Sequence, residues 1–162
     1  MVTSSRARAR LAVLVIVVLA AASMVTVLLP LLPPRQTAAV PLPAPSASPE
    51  TVVRTYLAAL NAHDCTTATE LWAGDQRDIA GSWCTGVAEL TGISLGAPST
   101  EPPGNSSNHP DQSVTEVPVT FDLRWRRWHG DPSLPEGRTT WGYLLAQDAQ
   151  TSAWRIVDNG TG

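Results

Sequence analysis

The side chains with usable chemistry are few and scattered. His63 titrates in the range that suits proton transfer. His63 lies in Asn61-Ala62-His63-Asp64, at the end of a helical pattern, where contact with terminal carbonyls accounts for it. Of the three His, His109 falls in a Pro/Ser/Asn-rich stretch and His129 in a turn. No two His and a carboxylate share a metal-ligand spacing, so neither a metal nor another cofactor is expected. A Gly-rich phosphate loop and a Gly-x-Ser-x-Gly elbow are both missing. No residue is assigned a catalytic role. The one unusual charge cluster is Arg124, Arg126 and Arg127 with Trp125 and Trp128. Strand alternation puts Arg124 and Arg126 opposite Trp125. That describes a solvated outer face; the sharper alternative is contact with an anionic partner or lipid headgroups.

An apolar run must be placed first. Leu11–Leu32 contains no charged residue, and its polar residues are Ser23 and Thr26. At about 1.5 Å per residue, roughly 20 apolar residues suffice to cross a hydrocarbon core. Arg6, Arg8 and Arg10 precede it, so positive charge is expected on the cytoplasmic side. The sequence therefore predicts a cytoplasmic N-terminus (1–10), a transmembrane signal-anchor helix (11–32) in the lipid bilayer, and an extracellular domain. A signal peptide cleaved near Ala20-Ala21-Ala22 is the rival reading, and it too exports the domain. All eleven basic residues are Arg, and the net charge is -3. With three of the Arg ahead of the run, the remainder is more acidic still, which argues against a nucleic-acid partner. Two cysteines, Cys65 and Cys84, in an exported domain favour a disulfide, two separately buried thiols being the alternative.

Residues 33–48 are rich in Pro, Ala and Ser and read as a semi-extended linker. The domain at 49–162 opens on a helix signal: Ser48 as N-cap, Pro49 at the first position, Glu50 at the positive end of the dipole. Val52, Val53, Tyr56, Leu57 and Leu60 share a face. Asp64 can cap a second helix through Ala68, Leu71 and Trp72, and a third is expected from Asp75 to Leu90. The period then changes. Thr91–Pro98 reads as a strand, Ser99–Ser113 as a loop, and Val114–Trp128 as the clearest strand, alternating Val117, Val119, Phe121, Leu123 and Trp125 against polar residues. Pro118 suggests a bulge or an edge. Arg138–Gln147 and Ala153–Val157 are two more strands. Helices first and an antiparallel meander afterwards make an α+β domain.

The stretch Ser48-Pro49-Glu50 with Tyr56-Leu57-Ala58-Ala59-Leu60-Asn61-Ala62-His63-Asp64 resembles the first helix and hinge of the NTF2-like superfamily, which includes ketosteroid isomerases and SnoaL-like cyclases. The terminal Trp154-Arg155-Ile156-Val157-Asp158 is similar to its last strand. The resemblance implies a cone of helices on a curved sheet, with a ligand pocket lined by Tyr56, Phe121, Trp125, Trp141 and Tyr143. Tyr56 matches the tyrosine that donates to the enolate in the isomerases. Their base would fall near Ala80 and their second acid near Gly142 or Tyr143, where this chain has no carboxylate. The expectation is thus a membrane-tethered, non-catalytic module binding a small apolar ligand or an envelope protein, or pairing as a homodimer. The alternatives are an assembly subunit resembling the VirB8 type or the Mce-associated proteins of actinobacteria, and a SnoaL-like cyclase or isomerase.

Overall fold

Ser48 has the extended backbone of an N-cap and accepts from the Thr51 N–H, so helix α1 (Pro49–Ala62) starts where the Ser-Pro-Glu signal places it. The computed structural model describes residues 15–19, 32–74, 76–103, 112–127 and 134–160. The chain divides into two units, Met1–Pro33 and Pro34–Gly162.

The first unit overturns the expected anchor. Among the described residues no helix is long and apolar enough to cross a membrane. Residues 15–19 are helical. The rest of Leu11–Leu32, apart from Leu32, lies outside the described residues. The single-pass, cell-membrane placement and the bilayer contact that depended on such a helix are therefore not carried further.

In the second unit α1 buries the face its periodicity marks: Val52, Val53, Tyr56, Leu57, Ala59 and Leu60. It ends at His63, whose left-handed backbone (φ 51°) returns its N–H to the carbonyls of Ala59 and Leu60. Asp64 caps α2 (Cys65–Glu70). This helix stops before Leu71 and Trp72 because that segment pairs with Ile156 instead. The Ala73 N–H donates to the Ile156 carbonyl at 2.8 Å, and the Ile156 N–H to the Leu71 carbonyl at 2.9 Å. Helix α3 (Arg77–Gly86) is also shorter than expected, and strand β1 (Val87–Leu95) begins four residues before Thr91. Val87 and Leu90 have helical spacing, but a register shift between Val87 and Glu89 lets both face the core from a strand.

Strands β2 (Ser99–Glu101), β3 (Val114–Trp125), β4 (Gly137–Gln147) and β5 (Trp154–Gly160) complete one antiparallel sheet, ordered β1-β3-β4-β5 with β2 also on β3. Strand β2 lies in the stretch expected as loop. Pro118 sits inside β3, a position that normally excludes proline. The sheet tolerates it because β3 changes partner there. Pairing with β1 runs to Leu95–Val119 and pairing with β2 starts at Ser99–Glu116, so the missing donor falls at the junction. The Pro118 carbonyl accepts from Gly96 at 2.7 Å. Beside α1, the Asn61 amide acts as a strand partner for Leu90, donating to its carbonyl at 2.9 Å and accepting from its N–H at 2.7 Å. That satisfies part of an edge otherwise open to pairing.

The class is α+β in the broad sense, but the expected cone is corrected. Helix α1 packs against β1, β3 and β5, and the space between is filled rather than open. Tyr56, Trp72, Phe121, Tyr143, Leu123, Leu145 and Ile156 are all fully buried. Aromatics from the two layers meet edge to face, Tyr56 against Tyr143 and Trp72, which packs well. Cys65 and Cys84 form a disulfide between α2 and α3, with Cα atoms 5.5 Å apart.

Candidate functional site

The five aromatics expected to line a pocket pack into one hydrophobic core, in which the ring contacts fall into two sets. Tyr56 contacts Tyr143, with ring centroids 5.6 Å apart, and Trp72 at 5.8 Å. Together with Phe121 they are sealed in the core. Half-buried Trp125 and Trp141 instead meet Trp83 of α3, at 5.4 and 5.8 Å. The Trp125 indole donates to the Leu134 carbonyl at 2.9 Å. Burial pushes the phenols of Tyr56 and Tyr143 well above the usual tyrosine range, and for Tyr56 the nearby Tyr143 adds to it. The Trp72 indole offsets this slightly, although neither its N–H nor the Tyr56 hydroxyl makes a hydrogen bond of normal length and angle. Tyr56 is thus held away from any substrate surface.

The remaining candidates are also dispersed. Arg124 faces outward and pairs with Glu89 at 3.4 Å, beside a second exposed pair, Arg138 with Asp122 at 3.1 Å. Arg126 turns the other way, donating to the Thr85 carbonyl at 2.8 Å, near the negative end of α3. Arg124 and Arg126 are thus committed to different partners. Asp75, His109, Trp128 and His129 lie outside the described residues. Among the described residues no group of three His, Cys, Asp or Glu could hold a metal ion.

The proline-rich segment expected as a spacer lies against the domain from Thr37 onward. The Thr37 N–H donates to the Ala62 carbonyl at 2.8 Å. The Val40 N–H donates to Asp64 Oδ2 at 2.9 Å, and the Thr67 hydroxyl to the Val40 carbonyl at 2.9 Å. Asp64 also accepts from the Thr67 N–H at 3.2 Å and lies 3.0 Å from the Thr67 hydroxyl. These bonds, the Val40 N–H foremost, hold its carboxyl below the usual range, against an opposing effect of burial. One carboxylate therefore caps a helix and fixes a passing strand of chain. The segment then turns, with the Ala47 N–H donating to the Ala44 carbonyl at 2.9 Å, and enters α1.

This path builds a surface groove of about 170 Å³. Leu42, Pro43, Ala44 and Pro45 form one wall, Val52 of α1 contributes to the lining, and Ala153, Trp154 and Arg155 stand at the start of β5. The β4–β5 turn is held by Asp148 Oδ1, which accepts from the N–H of Thr151 at 2.8 Å and of Gln150 at 3.0 Å. Those bonds, led by the Thr151 N–H, keep the Asp148 carboxyl below its usual range, with a smaller contribution from Arg155. Sequence reasoning missed the groove, because a proline-rich segment carries no signal of what it will touch. The visible hint was Leu42 among residues otherwise suited to a spacer.

No protein-family model matches the chain. No curated protein matches it. Among solved structures there is similarity to a SEC-C motif containing protein from Rhodopseudomonas palustris, at 16% identity and a TM-score of 0.47, over 71% of this chain and 79% of that one. A likeness of that order carries no function across. The expected membership of the NTF2-like superfamily is not carried further: no family model matches the chain, and Tyr56, Phe121 and Tyr143, expected to line its pocket, are buried in the core.

Proposed function

We propose that the unit from Pro34 onward is a non-catalytic binding module. Its site is the groove between the proline-rich wall, α1 and the start of β5, and its ligand is a small apolar group. The observation that carries this reading is Leu42. Among the described residues of that unit it is the large hydrophobic side chain left exposed, at 49%, and it lines a concave surface with Pro43, Pro45, Val52 and Trp154. A lone exposed leucine needs no explanation; one set in an apolar groove supports binding. Drug-sized ligands occupy roughly 300–1,000 Å³. A groove of about 170 Å³ suits a group the size of a single ring or side chain.

Benzyl alcohol titrated into the ¹⁵N-labelled full chain tests it. The expected result is saturable shifts at the amides of Ala44, Val52, Ala153 and Trp154 and at the Trp154 indole. Leu42→Ser should weaken that response while changing stability by less than about 0.5 kcal/mol, as surface substitutions usually do. Saturable shifts that cluster elsewhere, or none, would remove the reading.

A further inference from the structure

We infer that the groove selects an apolar molecule carrying a carboxylate, with Arg155 as the selecting group; this rests on the apolar-binding reading above. Arg155 is half-buried at the groove, and its guanidinium makes one long hydrogen bond, 3.4 Å, to the carbonyl of adjacent Trp154. Among the described residues no carboxylate lies within ion-pair distance of it; the two ion pairs found there use Arg124 and Arg138. Asp148 is near enough to feel its charge. That carboxylate is nonetheless turned into its own loop by Gln150 and Thr151, including the Thr151 hydroxyl at 2.9 Å.

A planar guanidinium has five N–H donors in a fork that matches one carboxylate, and here most of the fork is uncommitted. Phosphate sites gather several donors, whereas this groove offers a single cation flanked by prolines, valine, leucine and tryptophan. The chemistry it complements is a ring or branched chain with one carboxylate at its end. Such a group occurs on free small acids and at the C-terminus of a peptide ending in an apolar residue.

The probes are 3-phenylpropionate and its neutral amide, titrated into the full chain with the Trp154 indole and the Ala44 and Val52 amides as readout. The acid should bind about fivefold more tightly than the amide, the scale of a partly exposed ion pair. Salt at about 1 M should erase that difference. Arg155→Gln should abolish the difference in affinity between the acid and the amide, and Arg155→Lys should retain part of the preference. Comparing N-acetyl-phenylalanine with a tripeptide ending in phenylalanine separates the two sources: tighter binding of the tripeptide points to a chain terminus, and equal or weaker binding to a free acid. Equal affinity of the native chain for 3-phenylpropionate and its amide would overturn this inference and leave the apolar reading standing. Failure of both to bind would overturn the apolar reading and this one with it. A preference for the acid that survives Arg155→Gln would show that another group selects it.

Discussion

At the scale of single residues, Asp64 ties the proline-rich segment to the start of α2. It is 5% exposed and accepts from both Val40 and Thr67. Removing it with Asp64→Ala takes away a helix cap and a tertiary acceptor, and should lower unfolding free energy by about 2 kcal/mol in urea titrations. Its pH dependence has a definite sign. The folded carboxyl lies below the ordinary value of 3.8, so its contribution is complete above that value and is lost as pH falls through the lowered folded one. Asp64→Asn should therefore flatten the acid side of the stability profile below about pH 4. An acid limb as steep as the native one would show that other carboxylates set it. Tyr143 gives the opposite case. Its buried hydroxyl has no hydrogen-bond partner among the described residues, so Tyr143→Phe should leave stability within about 0.5 kcal/mol or raise it. A loss well beyond 1 kcal/mol would mean that the hydroxyl is satisfied after all.

At the scale of elements, short helices depend on being tied together. Helix α2 has six residues, too few to be stable without tertiary support. The Cys65–Cys84 bridge joins it to α3. Replacing both cysteines by serine should cost on the order of 3 kcal/mol in the chain-entropy model, read as a lower denaturation midpoint. No change in midpoint would show that the bridge adds nothing to packing already in place. The elements also divide by how legible they were. Helix α1 and strand β3 could be read because cap residues and strict alternation are local signals. The boundary between α3 and β1 could not. Val87 and Leu90 satisfy helical spacing, and only their pairing with β3 across a register shift makes them a strand. Strand β2 was hidden among Pro and Ser because three residues carry too little pattern; it exists because β3 offers an edge beyond Pro118.

At the scale of the whole molecule, the placement of residues 34–48 decides where function is sought. Compared with a chain starting at Pro34, one starting at Pro49 loses the bonds of Thr37 and Val40 and the Ser48 cap. It should be less stable by about 2–4 kcal/mol, with each lost bond or cap worth roughly 1 kcal/mol, and should lose the groove. Equal stability of the two would make the segment a free spacer. The sequence by itself determined the starts of α1 and α2, the alternation of β3 and the disposition of Arg124 and Trp125 on opposite faces. It offered two cysteines to be paired. Each of these follows from local periodicity or residue chemistry. The tertiary structure alone decided that the aromatics fill the interior, that Asp64 reaches a strand of chain 24 residues away, and that Leu42 meets Trp154 and Arg155 across a groove. Those outcomes depend on contacts between residues far apart in sequence, and on which of several compatible partners each side chain meets. Composition and spacing do not contain that information.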